Sequence, residues 1–287
     1  MSLQPMVNMA SDNKRQLTSG GELMQLETVI YEKKDNIAII HLNRPKVLNA
    51  INTQLTSDFL GALKEAHADA EVKAVIVKGE GRAFSAGDDL SEDKSGPVEQ
   101  GIRAIETLQD TTRTMLKMGK PIIAVVHGYA LGAGCEWAID CDIRIAAEGT
   151  KFGFPETGVG ATVTNAGTKL LPLLIGLGRA KEMVFTNEMI DARQAEQWGL
   201  VNKVVPLEEL DKTAMDMAKK IAEKSVVATY LSKGALNQGV YQDFEQTLQQ
   251  ETRDILIAIM TAEATERARI ALEKTKKKVS RGDQNDR

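Results

Sequence analysis

Cysteine is scarce in this chain, histidine shows no useful pattern, and long apolar runs are missing. Two cysteines, Cys135 and Cys141, among 287 residues exclude a disulfide framework and suit a reducing compartment. The three histidines, His41, His67 and His127, lack ligand spacing, so no metal site is expected. No apolar run approaches the ~18 residues of a membrane span. The polar segment from Met1 to about Gly21 lacks the apolar centre of a secretory signal, so a cytoplasmic protein with no membrane partner is expected. Positive charge is also lacking: a net charge of −4 and a pI of about 5.6 leave no footprint for nucleic acid. The one basic cluster, Lys274-Thr-Lys-Lys-Lys278, reads as the solvated end of a helix, where cations are favoured.

What remains is an ordinary globular composition, 43% hydrophobic and 26% charged, in a chain long enough for a sizeable core. Residues 1–25 read as a flexible arm. Leu26–Glu32 and Ile37–Leu42 read as strands joined by the turn Lys33-Lys-Asp-Asn36. Asn52 or Thr53 caps a helix reaching about Asp69, with Leu55, Phe59, Leu60 and Leu63 on one face. Ala74–Val77 is strand-like and enters a glycine-bracketed loop, Gly79–Gly87. The polar run Asp88–Lys94 reads as mobile, and a helix follows over Pro97–Met118. Strand, loop and helix in alternation predict an α/β core with parallel strands. Beyond Gly160 the pattern turns helical: Asn165–Leu174, Gly178–Phe185 and Asp191–Trp198, then a strand at Val201–Pro206. Helices at about 207–223, 225–238 and 241–276 finish the chain. The predicted organisation is a core at 26–205 carrying the site and a helical region at 206–287.

The centre is Lys120–Gly160. Pro121–Val126 reads as a buried strand, Gly128, Gly132 and Gly134 open a helix over Cys135–Asp140, and Cys141–Ala147 reads as another strand. Glu136 and Glu156 flank this turn, which offers backbone N–H groups for a carbonyl oxygen and carboxyls for a proton. Gly132-Ala-Gly134 falls short of a dinucleotide fingerprint because Trp137 occupies the third glycine position. Ser85 lacks the first glycine of a nucleophile elbow.

Leu42-Asn-Arg-Pro45 with Asn49-Ala50, Gly81–Leu90, Lys120–Glu136, Phe152–Gly160 and Ala192–Pro206 together resemble the crotonase superfamily, the enoyl-CoA hydratase/isomerase family, over roughly residues 26–276. The resemblance implies an α/β spiral of ββα units, a helical C-terminal region used in trimerisation, and a homotrimer or dimer of trimers. It implies an acyl-CoA thioester as substrate, with no cofactor beyond the CoA that the substrate carries. Carried onto this chain, the oxyanion hole is the backbone N–H of Ala86 and Ala133, and Glu136 and Glu156 are the acid/base pair. Lys46, Val47, Leu48 and Ala50 match the loop along CoA, and Asp88, Asp89 and Leu90 match the acyl entrance. Both glutamates together imply syn hydration of 2-trans-enoyl-CoA to 3-hydroxyacyl-CoA through an enolate, with one carboxyl pKa raised. Isomerisation of enoyl-CoA, for which only Glu156 is needed, is the alternative. A dehalogenase would use an aspartate in the central helix, where Asp140 is the one candidate. An RNA-associated protein of this fold is the distant alternative. Tyr129 and Trp137 are expected in the core, and His127 as a structural residue. The chain departs from the family's proline and paired glycines at Val163-Thr-Asn-Ala-Gly167, a backbone that helps shape the acyl pocket.

Overall fold

A strand period of two sends the residues of the central sheet into two separate cores. The computed structural model describes residues 14–18, 21–92 and 95–285, and side chains between residues 23 and 275. The strands are β1 (Lys14–Thr18), β2 (Gly21–Gln25), β3 (Val29–Lys34), β4 (Ile37–Leu42), β5 (Ala74–Gly79), β6 (Ile122–Val126), β7 (Tyr129–Leu131), β8 (Ile143–Ala147), β9 (Lys151–Gly153), β10 (Ile190–Asp191) and β11 (Lys203–Val205). An eight-stranded sheet runs β1-β2-β3-β4-β5-β6-β8-β11, antiparallel as far as β4 and parallel from β4 onward. A small second sheet runs β10-β9-β7.

The helices are α1 (Thr53–Ala68), α2 (Val98–Lys117), α3 (Ala133–Asp140), α4 (Gly167–Ile175), α5 (Leu177–Thr186), α6 (Ala192–Trp198), α7 (Leu207–Ala222), α8 (Val226–Gly239), α9 (Phe244–Ile259) and α10 (Ala262–Asn285). On one sheet face Ala38, Ile40, Val75, Val77, Ala124 and Val126 pack with Leu55, Phe59, Leu63 and Trp137. On the other face Ile37, Ile39, Ala74, Ile76, Ile123 and Val125 meet Leu210, Ala214 and Ala218 of α7. The alternation in Ala74-Val-Ile-Val77 is thus satisfied on both sides, as a buried parallel strand requires.

Four expectations need correction. Residues 14–18 and 21–25 of the supposed flexible arm are strands, with Met24 opposite Tyr31 and both buried; a single apolar anchor in a polar segment concealed this. Residues 1–13, 19 and 20 lie outside the described residues. The boundary expected at 205 falls after Ala222, giving units 1–222 and 223–287, because α7 covers one face of the sheet. The long helix expected at 241–276 is two, α9 and α10, and Thr261 Oγ1 accepts from Ala264 N–H at the restart. The run expected to be mobile is pinned in its described part: Asp89 is buried, and Glu92 Oε1 accepts from Thr53 N–H at 3.0 Å. Asp93 and Lys94 lie outside the described residues.

The second unit comprises α8, α9 and α10 and carries exposed apolar side chains, among them Leu236, Phe244 and Met260. Lys274 is exposed, and the side chains of Lys276–Lys278 lie outside the described residues. No described helix is long and apolar enough to cross a membrane.

Candidate active site

Gly132 makes the turn from β7 into α3 at φ +49°, ψ −128°, a conformation for which a side chain is strongly disfavoured. Its N–H donates to Gly153 O at 3.0 Å, fastening the turn to β9. Ala133 is then the first helical residue, and its N–H has no acceptor within the helix. Such an N–H, at the positive end of the helix dipole, favours a developing negative charge.

Glu136 sits one turn into α3 and is 1% exposed. Thr164 N–H donates to its Oε1 at 2.6 Å and Thr164 Oγ1–H to its Oε2 at 3.1 Å. Burial drives its pKa up to about 7, helped by the nearby Glu156 and Asp88 and opposed by the two Thr164 bonds. Glu156 opens the short turn Glu156–Val159 after Phe154-Pro155. Phe154 is fully buried, and its carbonyl accepts from Asn187 Nδ2 at 3.0 Å, which anchors the turn. The carboxyl of Glu156 lies against the α3 turn: a β-carbon on Gly132 would stand 3.1 Å from its Oε1. Both Glu156 oxygens are shielded from solvent with no hydrogen-bond partner among the described residues. Burial raises its pKa, and Asp88 adds to the rise. Two carboxyls with raised pKa therefore converge beside one helix N-terminus, an arrangement able to exchange protons with a bound substrate near neutral pH.

The loops holding the other expected residues come together next to this turn. Lys46 and Val47 are exposed on the turn Pro45–Val47, Leu48 is half-buried at φ +54°, and Ala50 is buried. Ile51 N–H donates to Gly87 O at 2.8 Å and Asp89 N–H to Ile51 O at 2.9 Å, a one-residue parallel bridge. Ala86 N–H donates to Leu48 O at 2.9 Å, so it is directed at the 46–50 loop and is not the expected oxyanion donor. Backbone direction alternates along an extended segment, so Asp88 N–H points away from Ile51. Asp89 is corrected too. Its buried carboxylate accepts from Ser91 and pairs with Arg44 at 2.8 Å, which hold its pKa below the usual range, so it is engaged in tying loops together. Asp88 and Leu90 remain exposed.

Among the remaining candidates, Trp137 is a core residue, packed at a tilt against Phe59 and donating to Thr111 Oγ1 at 2.8 Å. Tyr129, by contrast, is 42% exposed on β7. His127 Nε2 lies 3.0 Å from Gly81 O, as a structural histidine would. Asp140 is buried and accepts from Thr112 Oγ1–H, and burial pushes its pKa well above the usual carboxylate range, which is unfavourable for a nucleophile.

Sequence reasoning missed Thr164 as the partner of Glu136, although the departure at Val163–Gly167 marked the place. It also missed Asn49 as a junction. This buried side chain accepts from Arg44 N–H and donates to Glu80 O and Ala83 O, while its own carbonyl accepts from Ser85 Oγ.

The sequence profile of the enoyl-CoA hydratase/isomerase family matches residues 32–281. A short-chain-enoyl-CoA hydratase of Clostridium acetobutylicum is 42% identical over 226 residues, 78% of this chain and 87% of that one. A crotonyl-CoA hydratase of Syntrophomonas wolfei is 37% identical over 260 residues, 88% and 98% of the two chains. A crystal structure of enoyl-CoA hydratase from Bacillus anthracis superposes with a TM-score of 0.83 at 34% identity, covering 86% of this chain and 97% of that one. With the two glutamates and the α3 turn in place, the chain belongs to the enoyl-CoA hydratase/isomerase family of the crotonase superfamily.

Proposed function

We propose that the protein is an enoyl-CoA hydratase acting on 2-trans-enoyl-CoA thioesters, and that Glu136 and Glu156 perform the acid/base steps. The observation that carries this reading is the convergence of both carboxyls on the N-terminus of α3. The names of the relatives support short acyl chains.

In this reading the thioester oxygen accepts from the N–H of Ala133 and from that of Asp88, which takes the role first expected of Ala86. Each such donor is worth about 3 kcal/mol as the oxygen becomes an enolate oxyanion. Glu136 acts as the carboxylate and Glu156 carries the proton. Water gives a proton to Glu136 while its oxygen bonds to Cβ, and the C=C electrons move onto the thioester as an enolate. Glu156 then delivers its proton to Cα on the same face, and proton exchange between the two carboxyls through the next water restores the pair. Exposed Val47 and Leu90 flank the two loops that would receive the CoA arm. Apolar side chains exposed on the second unit support assembly as a trimer or dimer of trimers.

The test follows the loss of enoyl-thioester absorbance with crotonyl-CoA for the wild type, Glu136→Gln and Glu156→Gln. The wild type is expected to be active and each variant to lose ~100- to 10,000-fold in kcat. An inert wild type on crotonyl-CoA and longer enoyl-CoAs would overturn the reading. Activity on 3-enoyl-CoA that needs Glu156 alone would replace it with isomerisation.

A further inference from the structure

Residue 164 supplies both hydrogen bonds that Glu136 receives, and the two are of different kinds. The backbone N–H reaches Oε1 at 2.6 Å, while the side-chain hydroxyl reaches Oε2 at 3.1 Å. A residue without a hydroxyl would hold one oxygen and leave the other without this donor, so that the carboxylate plane could turn about the single remaining bond. The neighbours close the box. A β-carbon at Gly167 would lie 2.8 Å from Glu136 Oε1, so this glycine lets the segment wrap the carboxyl, and flanking Val163 and Asn165 are buried.

Resting on the hydratase reading, we propose that the Thr164 hydroxyl is a positioning residue: it fixes the plane of the Glu136 carboxyl and holds it in the ionised form that takes the proton from water. The N–H can only donate, so Oε1 is committed as an acceptor. A proton on Glu136 would have to sit on Oε2, and Thr164 Oγ1 would have to turn round to accept it. Donor bonds of this kind favour the charged carboxylate. The charged groups acting on Glu136 push the other way. Glu156 and Asp88 both favour its protonated form, as does burial. Asp140, one turn further along α3, and the adjacent Cys135 are buried, and desolvation pushes the pKa of both upward. The bonds that oppose these influences come from Thr164.

The full-length protein tests this through the hydration of crotonyl-CoA from pH 5 to 9 by the wild type, Thr164→Val, Thr164→Ala and Thr164→Ser. Both hydroxyl-free variants are expected to move the acid limb of kcat upward by about one pH unit and to lower kcat at pH 7 about fivefold, with KM little changed. Serine is expected to restore both. An unmoved acid limb, or an equal fall at every pH that serine fails to rescue, overturns the proposal. An activity-free readout runs beside it: the titration midpoint of the Glu136 carboxylate band, by infrared spectroscopy of glutamate-labelled protein differenced against Glu136→Gln. A midpoint that is the same with and without the hydroxyl overturns the role of Thr164. If the wild type proves inert, the hydratase reading fails, yet this midpoint still decides the question of Thr164.

Discussion

Burial sets the protonation of Glu136, and this ties the chemistry of the site to the stability of the protein. Its carboxyl rises from 4.5 to about 7 on folding. A raised folded pKa means that the native state binds the proton more tightly than the unfolded chain does. The stabilisation from this group is therefore complete below the unfolded value and is lost as pH climbs to about 7. The loss amounts to about 3 kcal/mol, on the order of 5 to 10 °C in Tm. Glu136→Gln removes the titration, so its Tm relative to wild type is expected to climb between pH 5 and pH 8. A Tm difference that stays flat across that range would show that Glu136 does not titrate there. That Glu136, Glu156 and Ala133 gather at one turn was legible, because the two glutamates flank a glycine-rich turn that opens a helix. The direction of the Ala86 N–H was not, because it depends on what its segment pairs with. That pairing, Ile51 with the Gly87–Asp89 segment, leaves no local trace in the sequence.

The helix α3 works as an element because its first turn can come very close to another backbone. A β-carbon on Gly134 would lie 2.6 Å from Ser85 Cβ and 2.9 Å from Ser85 O. Gly134→Ala must therefore push the N-terminus of α3 away from Ser85 and the segment that follows it. The expected outcome is a loss of about 1–3 kcal/mol in stability from overpacking, together with a fall in kcat as the two proposed N–H donors separate. Chemical denaturation and crotonyl-CoA kinetics on the same variant measure both, and unchanged values would show that the contact relaxes freely. Elements of five or more residues with a clear period, such as α1, β5 and β6, were legible in the sequence. The short strands β7, β9 and β10 were not, since two or three residues between glycines and turns carry no periodicity. They exist because the larger fold brings Tyr129–Leu131 alongside Lys151–Gly153.

At the scale of the whole molecule, the described residues of the unit 1–222 include a sheet with a core on each face, and the strands β4, β5 and β6 of that sheet were legible as apolar runs. What the sequence concealed was which helix closes the second face: α7 looks like the start of a helical tail until its Leu210, Ala214 and Ala218 are seen against the strands. The site itself belongs to no single stretch. Asn49 joins residues 44, 80, 83 and 85, Ser85 bridges to Ala130, and Gly132 to Gly153. Separations of this size carry a consequence in time. Contacts between distant segments form only after the intervening loops have closed, and that is slow beside helix formation. When the chain refolds from denaturant, its helical signal is expected to return before its ability to turn over crotonyl-CoA, and simultaneous recovery would contradict this. A newly made chain would then pass through a period in which it is folded in outline but chemically silent, ending when the Asn49 junction closes.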